Sequence, residues 1–142
     1  MGRPLKLVAV ISVGLILILI TLVALRQSLD PACSNTVLSE TTSPDGRFKA
    51  VVFSRDCGAT VGFNTQVSVI AVSEVFGNEP GNIFIADTNH GAAPAGLGGG
   101  PEVRVSWPSK DNLSLAYHLS ARVFRAKDHV ASVAVSYEKI PK

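Results

Sequence analysis

The stretch EVRVSWPSKDNLSLAYHL, residues 102–119, decides the architecture. Val103, Val105 and Trp107 alternate with Glu102, Arg104 and Ser106. After Pro108 to Asp111 the pattern resumes, with Leu113, Leu115, Tyr117 and Leu119 set against Asn112, Ser114, Ala116 and His118. Successive side chains on a strand point to opposite faces, so a period of two this regular marks two strands, each with one packed face and one wet face. Residues 108–111 predict a hairpin connection between them.

The same reading extends in both directions. Ser43-Pro44-Asp45-Gly46 is a turn signal, since Pro presets φ and Gly admits a positive one. The strand expected after it, Arg47 to Arg55, sets Phe48, Ala50 and Val52 against Lys49, Val51 and Phe53. Apolar residues on both of its faces predict a strand that is central or covered on both sides. Further strands are expected at Phe63–Val72 and Asn82–Asp87, and a second hairpin is expected from Ala121–Arg125 and Val130–Glu138 around Lys127–His129. Residues 90–101, rich in Gly, Ala and Pro, read as a flexible loop. No segment beyond residue 26 carries a helical period of ten residues or more. The expected fold is therefore mainly β: a six- or seven-stranded antiparallel sandwich or twisted meander behind one N-terminal transmembrane helix. Residues 1–26 form the expected membrane anchor or uncleaved signal, 27–42 a polar linker, and 43–142 the exported β-domain.

The helix expectation rests on Leu7 to Leu25, nineteen uncharged residues of which only Ser12, Gly14 and Thr21 are not apolar. As a helix this run spans roughly 28 Å, near the ~30 Å of a bilayer core. It is long for a signal peptide, and the small residues of a cleavage site are poorly placed after it. A cleaved signal and a lipoprotein acylated at Cys33 are the competing readings. Arg3 and Lys6 before the run, against Arg26 after it, keep the N-terminus in the cytoplasm and export the rest. The lipid bilayer is thus the first expected partner, through residues 7–25. The formal charge of the whole chain is +2. Three of the thirteen basic residues flank the run, however, which leaves ten against eleven acids beyond it, near −1. With no basic patch, nucleic acid is not an expected partner.

Cys33 and Cys57 both lie in the exported part, and an even count in an oxidising compartment points to a disulfide. The alternative is a reactive Cys57 thiol, which wants a nearby base. Arg55-Asp56-Cys57-Gly58-Ala59-Thr60 is the densest polar cluster at a strand end. Arg55, Asp56, Gly58 and Thr60 are the candidate ligand or partner loop. The competing reading makes Asp56 a turn cap, Gly58 the source of a positive φ, and Arg55 a surface residue. His90, His118 and His129 do not have metal-ligand spacing, and the glycines at 96–100 fit no phosphate-loop pattern. No metal site, cofactor or catalytic set is expected.

The segments Ser43-Pro44-Asp45-Gly46-Arg47-Phe48, Arg55-Asp56-Cys57-Gly58-Ala59-Thr60 and Val67-Ser68 resemble a group of small bacterial envelope proteins that share an SPDG…RDCGAT…VS core behind an N-terminal signal or anchor. The resemblance implies a bacterial source and an exported location, and no activity. Combined with the residue reading, the expected function is a membrane-tethered, non-enzymatic envelope domain in the bacterial inner membrane. Its C-terminal domain would stand in the periplasm or outside the cell and bind a protein or envelope component. The alternatives are a small thiol-redox or hydrolytic enzyme using Cys57, and a structural accessory subunit of a membrane complex.

Overall fold

A computed structural model describes residue 12 and residues 14–21, 33–58 and 62–141. The chain divides into two units, Met1–Ala32 and Cys33–Lys142. In the first unit residues 14–21 are helical, and Leu15 to Ile20 are all more than half exposed. The Thr21 hydroxyl donates back to the Leu17 and Ile18 carbonyls, the usual way a hydroxyl is satisfied inside an apolar helix. No helix among the described residues is long and apolar enough to cross a membrane; the run at 7–25 lies in large part outside them.

The second unit forms nine strands among the described residues: β1 (Ser34–Thr42), β2 (Phe48–Asp56), β3 (Asn64–Ala71), β4 (Phe84–Asp87), β5 (Val103–Ser109), β6 (Asn112–His118), β7 (Arg122–Ala126), β8 (His129–Val130) and β9 (Val133–Ile140). They make one sheet of order β1-β2-β3-β4-β7 and a second of order β5-β6-β9-β8. The inward residues of both sheets share one core. Ala50, Val52, Val67, Val69, Phe84 and Ala86 from the first sheet meet Val103, Leu113, Leu115, Tyr117, Val133 and Val135 from the second. The alternation of residues 102–119 is realised as read, with β5 and β6 antiparallel in the register Val103↔Tyr117 and Val105↔Leu115.

Three expectations are corrected. The strands number nine among the described residues rather than six or seven, because Ser34–Thr42 and the two-residue His129–Val130 also pair. Ser34–Thr42, read as linker, is strand β1, paired antiparallel with β2 from Ser34↔Asp56 to Thr42↔Lys49. It lies at a sheet edge, where backbone pairing to one neighbour suffices and only Leu38 packs on the core, so its composition is polar. The third correction concerns Ala121–Glu138. The segments at 121–125 and 130–138 do not pair with each other. β7 pairs with β4, the chain crosses to the other sheet at Lys127–Asp128, and β9 pairs with β6 in parallel. The only hairpin there is the short β8–β9 pair, turned through Ala131 at φ +49°. Alternation states which way a side chain faces; it carries no information on which strand lies alongside or in which direction. The sheets are therefore not antiparallel throughout.

The two-sided burial of β2 follows from the β3–β4 connection, which lies over the outer face of the first sheet. Val51 and Phe53 are fully buried there, with the Phe76 ring 4.9 Å from that of Phe53. Polar residues on the same face of β3 bind the connection's backbone. The Gln66 side-chain Oε1 accepts from the Gly81 N–H at 2.6 Å, the Ser68 hydroxyl accepts from the Asn82 N–H at 3.1 Å, and the Asn82 side-chain amide brackets the Val69 N–H and carbonyl. Gly81 makes this approach possible: a Cβ there would stand 2.9 Å from that of Gln66. Among the described residues every buried side-chain nitrogen and oxygen has a partner.

Candidate functional site

The two sheets can be compared along their β1 and β5 edges. At the end nearest the β1–β2 and β5–β6 turns they are fastened together. The Trp107 Nε1–H donates to the Thr41 carbonyl at 3.0 Å, and Arg47 bridges Asp45 at 2.5 Å and Asp111 at 2.8 Å. The Arg47 guanidinium and the Ser43 hydroxyl hold the Asp45 carboxyl down at about 2. At the opposite end, where the chain enters at Cys33, the edges part.

That end carries the disulfide and the predicted polar loop. Cys33 and Cys57 are bonded, Sγ–Sγ 2.08 Å, and continue the β1–β2 ladder one step beyond Ser34↔Asp56. Arg55 donates from Nη1 to the Asn35 side chain at 2.7 Å and to the Asn78 carbonyl at 2.8 Å, while the Asn78 amide reaches the Cys33 carbonyl at 2.5 Å. Asp56 accepts from the Gly58 N–H at 2.9 Å, and Gly58 has φ +91°. Each of these side chains is thus occupied in fastening β1, β2 and the β3–β4 connection. Thr60 lies outside the described residues. Arg55 also faces away from the remainder of the site: its neighbour Ser54 points inward, against Gly98, so Arg55 points to the outer face.

The glycine-rich segment is not a loose loop. It crosses the end of the sandwich from β4 to β5 and is closed on itself by the Ala95↔Pro101 bridge and the Gly96 N–H to Gly100 carbonyl bond at 2.7 Å. Its glycines let bare backbone lie on the strands. A Cβ on Gly100 would meet the Thr65 nitrogen at 2.5 Å, and one on Gly98 would meet Ser54 Cβ at 2.6 Å. The Thr65 hydroxyl donates to the Pro101 carbonyl at 2.7 Å and completes the seam.

Between this segment and the two edge strands lies a groove of about 610 Å³. Val52 and Thr65 form its floor, Leu38 and Ser39 one wall, Val103 the other, and residues 95–101 the cover. β1 is irregular at this point: its register slips between Val37 and Ser39, and the extra residue, Leu38, turns toward the core. Bulges of this kind re-aim side chains beside sites. Leu97, 91% exposed, and Phe63, 61% exposed with its ring against the Gly99 backbone, stand at this end of the domain. Glu102 lines the groove and bonds Arg104 at 3.0 Å, and that contact holds the Glu102 carboxyl below its ordinary value.

A smaller hollow of about 250 Å³ lies on the other side of Glu102, lined by Pro94, Arg104, His118, Ile140 and Pro141. His118 accepts the Ser120 N–H at Nδ1, which leaves its proton on Nε2 in the neutral ring. His90 lies beside Arg122, and His129 lies beside Asp128, so the three rings do not converge. No group of three or more His, Cys, Asp or Glu side chains among the described residues is arranged to hold a metal.

The disulfide and the capped turn were legible in the sequence; the groove, whose walls are a polar edge strand and a run of glycines, was not. The one available signal was the glycines themselves, which in a strand-rich chain mark close backbone approach as well as flexibility. Comparison of the chain with protein-family models, curated proteins and solved structures gives no match.

Proposed function

We propose that this protein is a membrane-tethered, non-enzymatic envelope domain that binds a protein or envelope component. In this reading residues 7–25 anchor it in the inner membrane of a bacterium, and the β-domain stands outside the cytoplasm. The groove between the β1 and β5 edges carries the proposal: it is the larger of the two hollows described, it is mostly apolar, and the Thr65 hydroxyl at its floor is already bonded to the Pro101 carbonyl. The size lies within the ~300–1,000 Å³ of small-ligand pockets. The disulfide supports an oxidising compartment, and it takes from Cys57 the free thiol that a redox or hydrolytic mechanism would need. The apolar, outward-facing helix at 14–21 supports the anchor.

The test is a photoreactive side chain at position 97 of the full chain, in bacterial membranes, with position 75 as control; Val75 is 88% exposed but belongs to the β3–β4 connection. The expected result is a chain that stays in the membrane pellet after alkaline extraction and gives an adduct from position 97 alone. Release by alkali refutes the tether. Equal labelling from both positions refutes the groove as the binding site.

A further inference from the structure

We infer that the smaller hollow, on the outer face of the second sheet, binds a carboxylate joined to a short apolar body. A free organic acid and the C-terminus of a peptide with an apolar last residue share that chemistry. The inference stands apart from the groove and from the tether. Three observations carry it.

The first is placement. The register Val103↔Tyr117 sets Glu102 opposite His118, and His118 pairs in turn with Ile140. Arg104, two residues on from Glu102, shares that face. Pro94 and Pro141 complete the lining. The strands thus bring a carboxylate, a guanidinium and an imidazole to one side of the hollow and hydrocarbon to the other.

The second is the pair of donor groups left to Arg104. Arg47 and Arg104 are each bonded through Nε to the carboxylate two residues earlier, Asp45 at 2.5 Å and Glu102 at 3.0 Å. Arg47 then takes a second carboxylate on Nη2, that of Asp111 at 2.8 Å. The Nη groups of Arg104 have no partner among the described residues. Glu138, the other carboxylate in its row, lies beyond Ala116. Two strand spacings, roughly 10 Å, separate that position from Arg104. The planar fork of a guanidinium suits a carboxylate, and Arg47 shows that one guanidinium in this fold serves two.

The third is a second donor in a small space. His118 accepts the Ser120 N–H at Nδ1, so the group it can offer a ligand is the Nε2–H, present in the neutral and the protonated ring alike. At about 250 Å³ the hollow falls below the ~300–1,000 Å³ of drug-sized pockets and suits a small acid or the end of a chain.

The experiment titrates the full chain, 15N-labelled in detergent micelles, with N-acetylleucine and follows the Arg104 Nε–H and His118 ring signals by NMR. N-acetylleucine amide, which lacks the carboxylate, and acetate, which lacks the apolar body, are the comparisons. Saturable shifts of both side chains are expected with N-acetylleucine, and binding about tenfold weaker with the other two. Arg104→Gln, followed at His118, is expected to weaken N-acetylleucine about tenfold. Lys110→Gln, which removes an equal charge from an exposed site outside the hollow, leaves the affinity unchanged. An acetylated tripeptide ending in leucine separates the sources: tighter binding than N-acetylleucine supports a peptide terminus, and equal or weaker binding supports a free acid. Shifts that do not saturate, or an amide that binds as well as the acid, overturn the inference without recourse to any variant. Wild-type affinity in Arg104→Gln also overturns it.

Discussion

The β1 and β5 edges are fastened at one end of the sandwich and parted at the other. At the fastened end each polar group serves to close the gap: Trp107 bonds across to Thr41, and Arg47 joins the β1–β2 turn to Asp111 in the β5–β6 turn. At the parted end the polar groups are spent within the first sheet and the β3–β4 connection, Arg55 on Asn35 and Asn78, and Asp56 on Gly58. The difference teaches that the groove is built rather than left over. The strand ends around it are braced separately, by a disulfide on one side and a glycine seam on the other, so neither sheet has to close on its neighbour for the domain to hold.

The largest test of this contrast removes the brace at the parted end. Replacing both cysteines by serine frees a 24-residue loop and is expected to cost about 3 kcal/mol in denaturant unfolding. Amide exchange should rise first in Ser34–Val37, with the Trp107 end still protected; uniform loss of protection would show that the two ends are not independent. Next in size is Trp107→Ala. The ring is half-buried, so about 2 kcal/mol is expected, less than for a fully buried ring, together with faster exchange at Thr41 and Thr42. If the groove residues 95–101 respond equally, the contrast is broken.

Gly100→Ala is smaller, about 1.5 kcal/mol, because the strand must yield to a Cβ set 2.5 Å from the Thr65 nitrogen. It should lift the 95–101 cover and alter labelling of the groove more than it alters stability. The smallest effect concerns acid. Asp45 has its folded pKa depressed to about 2, so its contribution is present above the ordinary carboxylate value and is lost as pH falls through the region from about 4 to about 2. The melting temperature of the wild type should converge on that of Asp45→Asn over that interval. Because Asp45 and Arg47 are solvent-facing, added salt should shrink the difference at neutral pH. Convergence at pH 6 would refute the assignment.

Much of this fold was legible residue by residue. Val103 to Leu119 announced its own hairpin, the two apolar faces of β2 announced its cover, and Cys33 and Cys57 announced their bond. What escaped was whatever depends on neighbours. β1 has only two large apolar residues, Val37 and Leu38, because an edge strand is held by backbone pairing, and backbone groups are the same in every sequence. β9 has the same alternation whether it pairs parallel or antiparallel. The candidate site was partly legible for the same reason: Arg55 and Asp56 stood out as polar side chains and Gly58 as a turn glycine, whereas Leu38, Val52, Val103 and the bare glycine backbone of the groove do not differ locally from core or turn.

The position of β9 also makes the second sheet depend on contacts distant in sequence. It is the last in sequence of the nine described strands, yet it lies between β6 and β8, and Val133 and Val135 supply part of the shared core. The β1–β2 and β5–β6 hairpins are local in sequence, whereas the second sheet is completed only by β9, which joins β6 to β8. Until β9 is in place the apolar inner face of the first sheet lacks the part of its cover that Val133 and Val135 supply.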